Sequence, residues 1–215
     1  MKNEAKVRNE IFNFVYDIAL RDATMRTAYP WSKDDEKRKE QRSKIFECDK
    51  AKKLTKHYID SLLSVRNPCF YDTVDEIRNA FKENGADQFS FGNTQKLINM
   101  TTKYVYIAAY RESVHKEFHE KFRDCHCPMD GIVVKRVIKD IQEQSDEKQH
   151  ELLKDRLRNW RGFLQNPWSK IDGDIEQYKF FQKLVKYLSD QRGIIPIEYD
   201  FIAWNSKGKN EGESV

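Results

Sequence analysis

Two lysines and an asparagine share one face of a segment in the middle of the chain. Gly92 precedes a run in which apolar residues recur every three or four positions, which predicts an amphipathic helix from Thr94 to Tyr110. Lys96, Asn99 and Lys103 are spaced so that their side chains share one stripe of that helix. A deprotonated lysine is a nucleophile, and a neighbouring cation favours its deprotonation. On spacing alone, the stripe is also typical of an ordinary helix whose lysines are exposed to water.

A carboxylate follows in a turn that contains a proline. The segment Cys-Pro-Met-Asp ends at Asp130 and precedes an apolar run from Ile132, so Asp130 occupies the position of a helix N-cap. A carboxylate at the head of a helix can stabilise a developing positive charge, and it can accept a proton. A capping aspartate is also a common structural device, worth about 1 kcal/mol.

The order of these features resembles the helix-hairpin-helix DNA glycosylases, and most closely the archaeal 8-oxoguanine DNA glycosylases. In that branch a lysine at the start of a helix is followed seven residues later by another lysine, as Lys103 follows Lys96. A Pro-x-Asp-x-x-Val segment comes next, and Pro128, Asp130 and Val133 match it. A C-terminal segment of the family is matched by Gly193, Ile194, Pro196, Asp200 and Trp204. The matching residues are scattered over residues 85 to 205.

The resemblance implies an enzyme that flips a modified base out of DNA and excises it. Lys96 would attack the sugar C1′ atom and Asp130 would be the catalytic carboxylate; a Schiff base at Lys96 would add an AP-lyase step. The implied base is an 8-oxoguanine-like lesion or a hypermodified base of phage DNA, and the second substrate would make the protein part of antiviral defence. No cofactor is implied, because the iron–sulfur cysteines of endonuclease III relatives are missing.

Further residues are assigned to the substrate and to the DNA backbone. The residues predicted to hold the flipped base are Asn99, Lys103, Phe91 and Trp204. Two more aromatic candidates for the pocket wall are Trp31 and Phe89, although aromatic residues more commonly serve the core. The residues predicted to meet DNA phosphates are Gly92, Asn93, Lys135 and Arg136.

The elements that must position these residues are predicted to be helices. Apolar periodicity predicts a helix from Val7 to Leu20, and a charge-rich segment starting at Ser32 is predicted to continue as a helix to Leu63. Thr73 is predicted to cap a helix that runs to Lys82, and the last long helix is predicted near Asp174 to Ser189. Two β-branched runs, Ile132 to Val134 and Ile194 to Ile197, are the only places where strands compete.

These elements predict an all-α fold with two helical lobes around a DNA-binding cleft. Residues 1–205 are predicted to form a single glycosylase-like domain whose catalytic segment covers about 85–140, and residues 206–215 a disordered tail. With 39 Lys and Arg against 35 Asp and Glu, the net charge is only +4, so a DNA-binding surface requires clustered charge. We expect DNA with a modified base as the partner of a monomeric protein.

The cysteines and the apolar runs indicate the compartment. Four cysteines do not form a disulfide framework, the first residues lack the apolar core of a signal peptide, and no apolar run approaches the length of a membrane span. We therefore expect reduced thiols, a cytoplasmic location and no membrane partner. One metal-like set combines two histidines with Cys-x-Cys: His115, His119, Cys125 and Cys127. Structural zinc sites prefer wider cysteine spacing, so no metal is predicted.

Two other functions remain open at this point. The first is a non-catalytic helical module that binds nucleic acid or another partner, in which Lys96 and Asp130 are structural and the aromatic residues are core. The second is a metal-dependent nuclease, which would require a cluster of carboxylates at ligand spacing that the sequence does not display.

Overall fold

The computed structural model of the protein describes residues 2–24, 35–64, 68–110, 119–143, 168–173 and 175–205. These residues form α-helices and one short 3-10 helix, with no β-strand among them, which confirms the all-α prediction. Within the same ranges, no helix combines the length and the apolarity that crossing a membrane requires. The chain divides into two compact units, Met1–Phe122 and Arg123–Val215.

The described helices of the first unit are α1 Lys2–Thr24, α2 Asp35–Phe46, α3 Asp49–Leu63, α4 Phe70–Glu83 and α5 Phe91–Ala109. Those of the second unit are α6 Gly131–Glu143, α7 Glu176–Arg192 and α8 Pro196–Asn205, with the 3-10 helix at Trp168–Lys170. The predictions for Trp31, for His115 and for the tail at 206–215 concern residues outside the described ranges.

In the first unit, α1 and α4 both pack against α5, and α3 packs against α4. Two hydrogen bonds tie the carboxyl end of α1 to α5. The side-chain amide of Asn93 donates to the Ala23 carbonyl at 2.6 Å, and the Tyr104 hydroxyl donates to the Asp22 carboxylate at 2.5 Å. Because α5 is held in this way near its first turn and again farther along, its rotation about its own axis is fixed relative to α1.

Two helix boundaries in the first unit differ from the predictions because buried contacts set them. The single helix predicted from the charge-rich segment is wrong: the chain breaks between α2 and α3, where the buried Cys48 thiol donates to the Ala80 carbonyl at 3.4 Å. The predicted cap at Thr73 is also wrong. Helix α4 begins one turn earlier, with Phe70 buried in edge contact with Tyr58. The Thr73 hydroxyl instead donates back to the Cys69 carbonyl within the helix.

In the second unit, α6, α7 and α8 pack against one another. The first β-branched run lies inside α6 and the second runs from the end of α7 into α8, so neither forms a strand. Helix α7 runs three residues beyond the predicted Ser189. It then ends at Gly193, which has a positive φ of 64° and accommodates the left-handed turn into α8 because it has no Cβ.

The four cysteines are all free thiols. Cys48, Cys125 and Cys127 are buried, and Cys69, at the N-cap of α4, is exposed. The absence of any disulfide between them agrees with the sequence pattern.

Candidate functional site

The amino end of α5 is built by a reciprocal cap. The Asn93 backbone N–H donates to the Ser90 hydroxyl at 3.1 Å, and the Ser90 backbone N–H donates to the Asn93 side-chain oxygen at 3.3 Å. This capping box starts the helix three residues before the predicted Thr94. Asn93 is buried and its amide is engaged by Ser90 and Ala23, so its side chain is part of the fold. Its predicted contact with DNA remains a prediction.

The polar stripe of α5 is buried rather than exposed to water. Gln95 and Asn99 are buried, Lys103 has only 8 % of its surface exposed, and Lys96 is partly buried. The interpretation of this stripe as a water-exposed lysine face is therefore wrong for Lys103. Long polar side chains are rarely buried to this degree unless a partner or a ligand compensates for the lost hydration.

The side-chain amides of Gln95 and Asn99, which lie one turn apart on α5, form a chain of hydrogen bonds along the helix. The Asn99 side-chain N–H donates to the Gln95 side-chain oxygen at 3.1 Å, and the Gln95 side-chain N–H donates to the Gly92 carbonyl at 3.0 Å. These hydrogen bonds fix the orientation of both side-chain amides. Residues 95, 99 and 103 thus form three successive turns of buried polar side chains.

The threonine hydroxyls of α5 form hydrogen bonds to the backbone of the helix rather than to other side chains. The hydroxyls of Thr94, Thr101 and Thr102 each donate to the carbonyl four residues earlier, at 2.8 to 2.9 Å. These hydroxyls are satisfied within the helix and are structural. The chemistry available on α5 therefore resides in its amides and lysines.

Asp130 is the N-cap of α6, as predicted. Its side chain is buried, with 4 % exposed, and Oδ1 accepts from the backbone N–H groups of Ile132 at 2.9 Å and Val133 at 3.0 Å. The partial positive charge at the start of a helix stabilises a carboxylate in this position. The next residue, Gly131, is exposed, and a Cβ added there would meet nothing within 4 Å.

The irregular segment before Asp130 is held by two side chains of α7. Gln182 accepts from the Cys127 backbone N–H at 3.0 Å and donates to the Cys127 carbonyl at 2.7 Å. The neighbouring His126 ring nitrogen Nδ1 lies 2.8 Å from the Tyr178 hydroxyl, and burial lowers the pKa of His126 to about 4. Gln182 and Tyr178 could not be identified from the sequence, because contacts over more than 50 residues of chain leave no local pattern.

The other predicted residues occupy several environments. Phe89 stacks on Phe81, with ring centroids 3.9 Å apart, so this candidate wall residue belongs to the core. Phe91 is also buried, whereas Trp204 on α8 is 45 % exposed. Their substrate-binding roles, where predicted, remain predictions, as does the role of the buried Gly92.

The two basic residues after Asp130 differ in their surroundings. Lys135 is exposed, while the Nε atom of Arg136 lies 2.6 Å from Oδ1 of the buried Asp140 and forms an ion pair without the alignment of a hydrogen bond. Arg192 of α7 lies 2.6 Å from the other oxygen, Oδ2, which also accepts from the Tyr199 hydroxyl of α8 at 2.8 Å. This Asp140 cluster joins α6, α7 and α8.

The predicted residues are thus distributed over both units. Lys96, Asn99 and Lys103 are brought together on α5 in the first unit, and Asp130 heads α6 in the second. Within the described ranges, no group of three or more His, Cys, Asp or Glu side chains is arranged to hold a metal ion. The protein matches no family model, no curated protein and no solved structure.

Proposed function

We propose that this protein is a DNA glycosylase of the helix-hairpin-helix superfamily, which flips a modified base out of DNA and excises it. The proposal includes the two-lobed glycosylase fold, a DNA partner, action as a monomer and a cytoplasmic location. The substrate class is an 8-oxoguanine-like lesion or a hypermodified phage base, the second of which would give a role in antiviral defence.

The observation that carries the proposal is the burial of the polar stripe on α5. Gln95, Asn99 and Lys103 occupy successive turns of one helix and are nearly removed from water. Burying three long polar side chains costs conformational entropy and hydration, and a packed core would be cheaper to build from apolar residues. A site for a flipped base needs polar groups held in fixed positions, and that requirement gives this arrangement a use.

The proposal gives each predicted residue a role. Lys96, on the same helix, supplies the amine that attacks the sugar C1′ atom and displaces the base. Asn99 and Lys103, with Phe91 and Trp204, hold the flipped base. Asp130 supplies a carboxylate that stabilises positive charge on the sugar as the base leaves. Lys135, Arg136 and the Gly92–Asn93 turn contact the phosphates.

The experiment incubates the protein with duplexes that carry 8-oxoguanine or phage-type modified bases, with and without borohydride. Variants Lys96→Gln and Asp130→Asn are compared with the wild type and with Lys53→Gln, which removes an exposed lysine of α3. We expect a borohydride-trapped adduct that is lost in Lys96→Gln, kept in Lys53→Gln and reduced at least about a hundredfold in Asp130→Asn. Asparagine caps helices as well as aspartate does, so the loss in Asp130→Asn would report charge rather than folding.

The other outcomes assign other functions. An abasic product without a trapped adduct would indicate a glycosylase that lacks the lyase step. If a broad panel of modified duplexes yields neither adduct nor abasic site, the proposal is wrong. A helical binding module, with salt-sensitive DNA affinity and no turnover, would then be the better description.

A further inference from the structure

Gln182 uses both ends of its side-chain amide on the backbone of a single residue in another segment. The side chain is buried on α7, its oxygen accepts from the Cys127 N–H at 3.0 Å, and its N–H donates to the Cys127 carbonyl at 2.7 Å. A single hydrogen bond would leave the Cys127 backbone free to rotate about it. Two bonds, one to each backbone polar group of the same residue, fix both its position and its orientation.

The fixed residue lies three positions before Asp130, in a segment without helical hydrogen bonds. Pro128 has no N–H to donate, so the ordinary backbone ladder cannot hold this stretch. On the other side, Oδ1 of Asp130 accepts from Ile132 and Val133, which ties the carboxylate to α6. The carboxylate is therefore located by two anchors, the Gln182 amide upstream and the first turn of α6 downstream.

A second contact from the same helix supports the upstream anchor. Tyr178 precedes Gln182 by four residues, so the two side chains lie on one face of α7, and the Tyr178 hydroxyl is 2.8 Å from the ring of His126. Consecutive residues of the segment, 126 and 127, are thus held by consecutive turns of α7. Burial keeps His126 neutral near pH 7, which removes a charge that would otherwise draw water into this contact.

We propose that Gln182 is a positioning residue for Asp130: it sets the location of the carboxylate by fixing the backbone of Cys127. The inference rests on the proposed function, in which Asp130 acts on the sugar of the flipped nucleotide. A displacement of about 1 Å at a catalytic group is enough to lower a rate about a hundredfold. A residue that never touches the DNA can therefore control turnover.

The test compares Gln182→Met, which keeps the length of the side chain and removes both hydrogen bonds, with Gln182→Glu. The matched control is Ser189→Ala, which changes another buried side chain of α7 whose hydroxyl has no hydrogen-bond partner within the described part of the chain. The full-length protein is used throughout. The first readout is amide hydrogen exchange at Ile132 and Val133, the donors to Asp130, which needs no substrate.

In Gln182→Met we expect exchange at these two amides to accelerate about tenfold or more, while Ser189→Ala leaves it unchanged. The single-turnover rate of base release should fall by a factor of about ten to a hundred, with DNA affinity within about twofold of the wild type. In Gln182→Glu, the ratio of the wild-type rate to the variant rate should fall as the pH is lowered from 8.5 to about 5.5. A protonated carboxyl restores the donor to the Cys127 carbonyl, whereas an ionised one repels it.

The outcomes separate this inference from the function on which it rests. Unchanged exchange in Gln182→Met, a rate loss that only follows weaker DNA binding, or a Gln182→Glu defect that does not depend on pH would each overturn the positioning role. If wild-type protein acts on no modified duplex, the proposed function fails. Exchange at Ile132 and Val133 still decides by itself whether Gln182 fixes the head of α6.

Discussion

Helix α6 has a buried carboxylate at each end, and the two are held by different means. Asp130, just before the first residue, is 4 % exposed, and Asp140, in the last turn, is 3 % exposed. Asp130 accepts from two backbone N–H groups, where the helix supplies partial positive charge. At the opposite end the helix supplies partial negative charge, and Asp140 is neutralised by two guanidinium groups and a tyrosine hydroxyl.

The difference teaches that burial alone does not identify a reactive carboxylate. Both oxygens of Asp140 face cations that come from the protein itself, and burial and this carboxylate hold the pKa of Tyr199 far above its usual value. The Asp140 cluster thus behaves as a structural lock between α6, α7 and α8. Asp130 accepts from two backbone N–H groups at the head of α6, and its action on a developing positive charge is part of the proposed function.

The largest expected effect is at the carboxyl end of α6. Asp140→Ala leaves Arg136 and Arg192 beside each other without the carboxylate, and removing one member of a buried ion pair costs about 3–5 kcal/mol. We expect the lower part of that range, because both arginines are partly exposed to water. Urea unfolding measures the loss. Asp190→Ala, which breaks an exposed pair with Lys186 on α7, is the control and should cost less than about 0.5 kcal/mol. A loss of less than about 1 kcal/mol in the free energy of unfolding of Asp140→Ala would contradict a structural role for the Asp140 cluster.

The free energy of unfolding should fall at mildly acidic pH because of His126, which lies in the segment that precedes α6. The pKa of His126 is about 4 in the folded protein and near 6.5 in the unfolded chain, so the unfolded state binds more protons between these values. Its contribution to the free energy of unfolding is complete above pH 6.5 and is lost as the pH falls towards 4, by up to about 3 kcal/mol. Denaturant titrations at several pH values should show this slope in the wild type.

The variant His126→Asn separates this contribution from that of other titrating groups. Asparagine does not titrate in this range, so the pH slope between 6.5 and 4 should be reduced in the variant. Equal slopes in the wild type and the variant would show that His126 is not the group responsible.

The smallest expected effect is that of the cap at Asp130. Asp130→Ala should lower the free energy of unfolding by about 1 kcal/mol, because two N–H groups lose their acceptor, while Asp130→Asn should stay within a few tenths of the wild type. Thermal unfolding measures both variants. A loss in Asp130→Ala as large as that in Asp140→Ala would remove the distinction between the two ends of the helix.

Local features of the structure were predictable from the sequence. The cap at Asp130 follows from an aspartate placed just before an apolar run, and α5 follows from its three- and four-residue periodicity. The fold class follows from the same periodicity along the whole chain. These signals act over one or two turns, which is the distance over which a sequence pattern carries structural information.

Features that depend on distant partners were not predictable. The break at Cys48 and the start of α4 at Phe70 are set by contacts with Ala80 and Tyr58, which outweigh the local preference for a cap at Thr73. The burial of Lys103 depends on how α5 packs, because spacing places the stripe on one face without saying what covers that face. The pairing of Arg192 with Asp140 joins residues 52 positions apart, and nothing in either neighbourhood indicates it.

The single exposed thiol provides a natural point for chemical labelling. Three of the four sulfur atoms are buried, and burial raises the pKa of the Cys48 and Cys125 thiols, which lowers their content of reactive thiolate. A thiol-directed dye or crosslinker is therefore directed to Cys69 at the head of α4. Because neither α5 nor α6 contains that residue, a fluorescent conjugate of the unmutated chain leaves Lys96 and Asp130 chemically intact.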